Sequence, residues 1–599
     1  MFEALKKASP PWLGGLGICV LLVALRWNSL DAPLVRDEGE YAYAAQLLGH
    51  GQLPYEHSFL QKPPMVVYTY ALANTLAPNT FWFPRVLAGF FALLAACLLG
   101  WIVRLEFGPG LALPAMWLVT PMLLFPGLWQ FTANTETFML VPLLGTVAVY
   151  VVSRHRRGGS EGAHLGRTAG VRPSPGAAMP ADSGVSQCSN APGGSEPAAP
   201  GAGRTPAQSP SVGPARCGGS GAWFWAGLLG ATTLWYKYTA LPVLALLFAV
   251  WAFEEWRDRA RGTFRFPATH HAPRTTNFGL WTLDFRLWTI CGALVASCAI
   301  LAPFLARDGG KRLWECTVVF NRYYTGLAGF GTAALWQTLQ LLLADWWILF
   351  LLPALLVVRR RRRVRFWIGM FLAAWVSTAG SPHGHYYLVV MPFWALLAAV
   401  AIDDLAWLGA AELKWSHAGL RRAFTAVVLL LLCLPDLPWV ACSKQEFAAV
   451  KAGGGNPFLE SQAVARRVAE LTSPNDYVFV AGSEPQILCY AKRLSPTRFV
   501  IAYPLMFPTP LTEGYQREAV QDLERHPPAV IVFARADTSW LRQERSPLTF
   551  LAYLEKLLAD HYERVGGWVA DPQSGRWQEP LSDQDLANAS LVLFRRKNP

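Results

Sequence analysis

Leu34-Val-Arg-Asp-Glu-Gly-Glu-Tyr-Ala-Tyr-Ala-Ala-Gln46 comes shortly after the first apolar run of the chain, and it sets two acids, Asp37 and Glu38, where a membrane helix would end. A carboxylate at the mouth of a membrane helix loses hydration and needs a reason to be there. The following residues, Tyr41–Leu48, can form an amphipathic helix lying on the membrane surface. Two readings of the acids stand side by side. One is a helix cap that satisfies the dipole of this helix. The other is a general base that takes a proton from an acceptor hydroxyl. Farther along, Gln61-Lys-Pro-Pro-Met65 holds a cation, Lys62, ahead of two prolines that restrict the backbone. A base and a cation on one loop beside a membrane point to chemistry on a lipid-linked anionic substrate.

Composition fits a membrane setting. Of 599 residues, 53% are hydrophobic and 15% charged, whereas a soluble chain carries about 25% charged residues. Mean hydropathy is +0.25. The net charge of +12 does not mark a nucleic-acid binder, because the arginines cluster at Arg154–Arg157, Arg257–Arg265 and Arg359–Arg365, each beside an apolar run. That is the positive-inside pattern of cytoplasmic loops. The ten cysteines include no CxxC pair, which argues against a zinc site or a disulfide framework. One bridge among Cys316, Cys442 and Cys489 is left open. Lys6 and Lys7 precede an apolar stretch with no small-residue cleavage site, so a retained first helix is expected.

Apolar runs near 12–30, 83–103, 108–129, 137–153, 222–235, 239–254, 286–305, 335–358, 364–380, 386–402 and 423–441 predict about eleven crossings. With Lys6 and Lys7 inside, strict alternation places every basic cluster inside and 31–82, 129–136, 306–334, 381–386 and all residues after about 442 outside. The expected fold is a mostly α polytopic membrane protein with a small C-terminal α/β domain outside the membrane. The membrane domain covers 1–441, and within it the Gly-, Ala-, Pro- and Ser-rich stretch 158–221 reads as a disordered cytoplasmic loop. The outer domain covers 456–599. Its expected strands lie at Tyr477–Ala481, Arg498–Ala502, Ala529–Phe533 and Leu591–Arg595, alternating with helices in a partly parallel sheet. It has no GxGxxG and no P-loop, so a nucleotide site lacks support.

The other candidate residues all fall on the predicted outer side. Glu136, in Phe131-Thr-Ala-Asn-Thr-Glu-Thr137, could orient an acceptor or pair with a cation. Arg85, Lys237 between Tyr236 and Tyr238, and Arg322 ahead of Tyr323 and Tyr324 could neutralise a phosphate. The alternative for these long side chains is snorkelling, with the stem in the apolar zone and the head in water. His383, His385, Tyr386 and Tyr387 form Ser-Pro-His-Gly-His-Tyr-Tyr at another outer turn. Two histidines without a third ligand fit phosphate or sugar hydrogen bonding better than a metal site, and the tyrosines also fit an interfacial aromatic belt.

Taken together, Arg36–Gln46, Gln52-Leu-Pro-Tyr55, Lys62-Pro-Pro64, Thr135-Glu136, Tyr236-Lys237, Pro382-His-Gly-His-Tyr386 and Gly482-Ser-Glu-Pro485 within Val478–Arg498 resemble a family. It is that of the membrane glycosyltransferases related to protein O-mannosyltransferases and to the aminoarabinose transferase of lipid A. The resemblance spans most of the chain outside 155–221, and the first loop is its most specific part. It implies the C-type glycosyltransferase fold, with an outward-facing site in the bacterial inner membrane. The donor would be a sugar on a polyprenyl phosphate and the acceptor a hydroxyl of a lipid, glycan or protein. Asp37 aligns with the family's catalytic base, and Lys62 falls in the loop that meets the donor. In place of the histidine turn, relatives often carry an Arg or another polar pattern. Attack opposite the phosphate predicts inversion, and stabilising the departing anion is an electrostatic task that Lys and Arg can perform. The first loop has no DxD-type metal pair, so no cofactor is expected; a divalent cation is the open point. A transporter or flippase of lipid-linked sugars is the alternative. It would show internal repeats with matching broken helices, and none is evident. A scaffold whose outer domain binds a partner would leave Asp37 and Lys62 without a task.

Overall fold

In the computed structural model, residues 11–124, 130–168, 220–263, 278–327, 331–354, 361–378, 380–452, 455–569 and 575–597 are described. Most of the Gly/Ala/Pro/Ser-rich stretch, 169–219, lies outside them. The first nine α-helices are α1 (Pro11–Arg26), α2 (Arg36–Gly49), α3 (Met65–Leu76), α4 (Phe83–Phe107), α5 (Pro109–Met122), α6 (Thr135–Thr168), α7 (Ser220–Tyr236), α8 (Leu241–Thr263) and α9 (Phe278–Leu305). Long helices Thr332–Ala354, Arg361–Thr378, Met391–Glu412 and His417–Cys433 complete the bundle. The helix α6 thus continues into the stretch expected to be irregular from 158.

Among the described residues, seven helices are long and apolar enough to cross a membrane, and Leu13–Ser29 and Val364–Thr378 are shorter apolar helices. The runs at 108–129 and 222–235 form α5 and α7, of 14 and 17 residues, short of the about 20 that a full crossing needs. The chain is an integral membrane protein. Its helices pack closely where side chains are small: a Cβ at Gly227 of α7 would lie 2.0 Å from the Thr289 carbonyl oxygen, and one at Gly292 of α9 would lie 2.0 Å from that of Phe224. Small residues let helix backbones approach in this way in apolar surroundings.

The C-terminal unit is built on five strands, β1 (Val478–Ala481), β2 (Val530–Ala534), β3 (Tyr562–Val569), β4 (Arg576–Gln578) and β5 (Ala589–Arg596). Their order is β1-β2-β5-β3-β4. Only β1 and β2 run parallel, with Val478 opposite Val530; the other pairings are antiparallel. Both of these strands are apolar and buried, as parallel strands covered on both faces must be. Arg498–Ala502, expected to be extended, forms bends rather than a strand, and β3 and β4 were not foreseen. The glycine pair Gly566-Gly567 breaks the hydrophobic alternation of β3, and Arg564/Gly566 carry a bulge. Cys316, Cys442 and Cys489 are unbridged.

One buried ion pair ties the site end of the bundle together. Arg85, in the first turn of α4, and Glu38, in the first turn of α2, are both fully buried. Arg85 Nε donates to Glu38 Oε1 at 2.9 Å, and Nη2 bonds Oε2. The same guanidinium donates to the carbonyls of Ser29 (2.6 Å), Ala32 (2.5 Å) and Pro33 (2.9 Å). Glu38 also accepts from the Ala133 N–H at 2.8 Å and caps α2 by accepting from Val35 N–H at 3.3 Å. For Glu38 the helix-cap reading holds, and for Arg85 neither snorkelling nor a phosphate contact does. Breaking one half of a buried pair leaves the other charge uncompensated. Glu38→Ala is therefore expected to cost about 3–5 kcal/mol, read as a fall in the thermal unfolding midpoint in detergent. A midpoint within a degree of wild type would refute this account.

Candidate active site

Asp37 sits in the first turn of α2, one residue before the buried Glu38. The helix turns about 100° per residue, so adjacent acids face different ways. Glu38 enters the bundle, while Asp37 opens, 32% exposed, onto a cavity of about 370 Å³. The bundle side of this cavity is made by Val35, Arg36, Asp37, Lys62, Asn134, Tyr324 and the turn Pro382–Tyr386. The opposite wall comes from the C-terminal unit and the segment leading to it: Asn456, Phe458, Tyr503, Thr538 and Leu541.

Basic side chains gather around Asp37. His385 Nε2 lies 3.9 Å from Asp37 Oδ2 and 3.8 Å from Glu136 Oε1. Lys237, on the turn between α7 and α8, is ion-paired with Glu136 at the start of α6. Its ammonium also lies 2.9 Å from the centre of the Tyr386 ring. Lys62 Nζ lies 5.9 Å from the same ring centre. Burial alone would raise Asp37, but the field of Lys62, then of His385, His383 and Lys237, outweighs it and holds the carboxyl below the ordinary aspartate value. Burial opposes the charge on Lys62, yet Tyr386 and Asp37 more than offset it and keep the ammonium charged. Burial, with His385 close by, pushes His383 down to about 3, and burial likewise lowers His385. At neutral pH the two imidazoles are therefore neutral, each with one N–H donor and one acceptor nitrogen.

A second cavity of about 250 Å³, mostly apolar in its walls, shares Lys62, Tyr324 and Tyr386 with the first. Lys237, Pro63, Tyr238 and Asn321 also border it. Lys62 thus borders both a cavity whose walls carry charged and polar groups and an almost wholly apolar one.

Of the residues expected from the sequence, Asp37, Lys62, His383, His385 and Tyr386 line the first cavity, with Glu136 and Lys237 paired directly behind them. Glu38 and Arg85 do not reach it. Nor do Arg322 and Tyr323 line it: on helix Phe320–Leu327, Arg322 is exposed, and Tyr324, two residues on, borders the cavity instead. The signal for this was present, because Asn321 and Tyr324 are three apart on one helix face, and Asn321 Nδ2 donates to the Gln61 carbonyl at 2.8 Å beside Lys62. Asn134 and the wall from the C-terminal unit had no signal in local sequence. Among the described residues, no group of three or more His, Cys, Asp or Glu is placed to hold a metal ion.

No family model matches the chain, and no curated protein matches its sequence. Solved structures do match. ArnT from Cupriavidus metallidurans bound to undecaprenyl phosphate superposes with a TM-score of 0.53 at 14% identity, covering 98% of this chain and 98% of that one. The apo form of the same protein gives 0.51 at 15% identity, covering 98% and 97%. An Archaeoglobus fulgidus oligosaccharyltransferase is more distant, at 0.46 and 12%, covering 96% of this chain and 75% of its own. The chain therefore has the ArnT fold along nearly its whole length, the C-type glycosyltransferase architecture expected from the sequence.

Glu40, one turn after Asp37, was not singled out. It is 4% exposed, and its Oε1 is buried without a hydrogen-bond partner. Burial, reinforced by Asp37 and opposed by Lys62 and Arg36, raises it to about 8. Between its ordinary value of 4.5 and 8 the unfolded chain releases this proton and the folded one keeps it, so stability falls as pH rises through that window. Glu40→Gln removes the penalty. Its stability gain over wild type is expected to grow from pH 5 to pH 8, by up to about 1.4 kcal/mol per pH unit. Parallel unfolding curves at both pH values would contradict this.

Proposed function

We propose that the chain is an inverting glycosyltransferase that moves a sugar from a polyprenyl-phosphate donor to an acceptor hydroxyl at the outer face of the membrane. One observation carries this reading: an ionised carboxylate, Asp37, and a half-buried lysine, Lys62, share a cavity whose walls carry charged and polar groups, and a second, almost wholly apolar cavity borders the same lysine. A lipid-linked sugar has the same order of parts, with a polar sugar, a phosphate and an apolar tail. The fold shared with an ArnT bound to undecaprenyl phosphate supports the same donor class.

In this reading the phosphate lies beside Lys62 and the tail leaves along the apolar cavity. Asp37 accepts the proton of the acceptor hydroxyl as its oxygen attacks the anomeric carbon. The bond from that carbon to the phosphate oxygen breaks on the opposite face, and polyprenyl phosphate departs with the electron pair. Lys62 meets the growing negative charge. Glu136 neutralises Lys237, and the pair holds His385 near Asp37. The neutral imidazoles can hydrogen-bond sugar hydroxyls or phosphate oxygens. Arg322 and Tyr323 have no part in the scheme, and Glu38 and Arg85 act by holding α2. Because Lys62 supplies the positive charge, we read the transfer as metal-independent.

The same reading fixes the remaining assignments. Residues 1–441 form the membrane domain, with about eleven crossings once α5 and α7 are counted. Residues 456–599 form the extracytoplasmic unit. The N-terminus is cytoplasmic and the membrane is the bacterial inner membrane. Arg154 with Glu106, Arg157 with Glu255 and Arg421 with Asp403 pair at the bundle end away from the cavity, in keeping with that orientation.

The test is transfer of radiolabelled sugar from purified polyprenyl-phosphate sugars by detergent-solubilised protein. Wild type is expected to transfer, with no change on addition of EDTA. Asp37→Asn should lose at least about 10³-fold in kcat, and Lys62→Ala should chiefly raise the donor KM. Equal transfer by wild type and Asp37→Asn would remove Asp37 as the base. A second expectation concerns pH. Donor phosphate draws on the field of Lys62 that now depresses Asp37, so the carboxyl rises in the loaded complex. The acid limb of kcat should lie at higher pH than that of kcat/KM, which reports the free enzyme. Coincident limbs would separate Asp37 from the Lys62 field.

A further inference from the structure

We propose that the C-terminal unit is a working part of the catalytic centre, setting the position of Asp37 through a latch of Arg36 on Glu484 and a close contact at Gly39. This rests on the reading of Asp37 as the base.

The helix α2 is bonded along its length to one segment of that unit, residues 483–495. Ahead of Asp37, the Leu34 N–H donates to the Tyr490 hydroxyl at 2.8 Å. At the adjoining residue, Arg36 Nε donates to the Ser483 carbonyl at 2.7 Å and Nη2 to Glu484 Oε1 at 3.1 Å. Beyond Asp37, the Cys489 thiol donates to the Gly39 carbonyl at 3.3 Å, Gln46 Nε2 to the Cys489 carbonyl at 3.2 Å, and the Ser495 N–H to the Tyr43 hydroxyl at 2.8 Å. Glu484 is fully buried. Its other oxygen accepts from the Ser483 N–H at 2.9 Å and from the Ser539 hydroxyl. Arg36 is thus the cation that compensates a buried carboxylate, and such a pair resists separation. The rings of Phe458 and Tyr503 each lie 5.5 Å from the same guanidinium, and both rings also line the cavity.

Gly39 marks the closest approach. A Cβ there would stand 2.7 Å from the Gln486 backbone nitrogen and 3.0 Å from its Cα. Backbone atoms cannot rotate out of the way, so any side chain at 39 wedges α2 off helix Pro485–Ala491. Asp37 has little else to hold it: His385, at 3.9 Å, is beyond hydrogen-bond distance. Its place over the cavity is set by the first turn of α2, and that turn is gripped at Glu38 on the bundle side and at Arg36 and Gly39 on the side of the C-terminal unit. A misplacement of about 1 Å at a reacting group costs on the order of 10²-fold.

The experiment uses the full-length protein in detergent, with wild type and Asp37→Asn as references. If wild type transfers sugar and Asp37→Asn does not, the base is in hand and the latch can be judged separately. Gly39→Ala, Glu484→Gln and Arg36→Lys are assayed for kcat, for donor KM and for binding of polyprenyl phosphate alone, with the folded fraction taken from size-exclusion chromatography. The expected result is a fall in kcat per folded molecule of about 10- to 100-fold. In Gly39→Ala and Glu484→Gln, which leave every cation of the cavity in place, donor KM and polyprenyl phosphate binding should stay near wild type. Glu484→Asp, which keeps the charge, should recover more activity than Glu484→Gln. Variants that keep wild-type kcat per folded molecule, whether or not less protein folds, would overturn the proposal. So would a loss carried wholly by donor KM, or a Glu484→Asp no better than Glu484→Gln.

Discussion

The arrangement of this site depends on a salt bridge that never touches the cavity. Arg85 and Glu38 meet with no exposure to solvent, and between them they engage the end of the first apolar helix, the start of α2, the start of α4 and the backbone at Ala133. An ion pair of this kind gains little over an apolar substitute in net energy. Its value lies in direction. Guanidinium and carboxylate have fixed planar geometry, so they define how α2 leaves the membrane and hence which way the adjacent Asp37 points.

Around Asp37 the electrostatics follow from burial and pairing. Two lysines in a shielded space repel, and the structure resolves this by giving one of them, Lys237, a carboxylate partner in Glu136. Lys62 keeps its field available to the cavity, and with the neighbouring His385, His383 and Lys237 it outweighs the desolvation of Asp37. The histidines respond in the opposite sense, losing their protons to burial and to neighbouring cations. The outcome is a chamber with an ionised acid, a charged lysine and neutral donors.

Much of this was legible in the sequence for local reasons. Spans announce themselves because about 20 apolar residues in a row have no other stable use. Lys62 stands out because prolines flank it, and the histidine turn because polar residues interrupt apolar ones there. Other readings failed where the facing of a side chain mattered. Asp37 and Glu38 look equivalent as neighbours, yet a rotation of about 100° sends one to the cavity and the other to Arg85. The same rotation exchanges Tyr323 for Tyr324. The strands β3 and β4 escaped notice because Gly566, Gly567 and the bulge beside them disrupt the period of two.

The sequence by itself determined a multi-span membrane protein with a sheet-bearing C-terminal unit and with acids and cations at the ends of its spans, since hydropathy and charge act over a few neighbouring residues. Tertiary structure alone decided which charges meet. Arg36 with Glu484, Gly39 with Gln486 and Glu136 with Lys237 are each separated by a hundred residues or several hundred. No periodicity spans such distances. Contacts of that range arise when large surfaces pack, and that packing joined the C-terminal unit to the helix that carries Asp37.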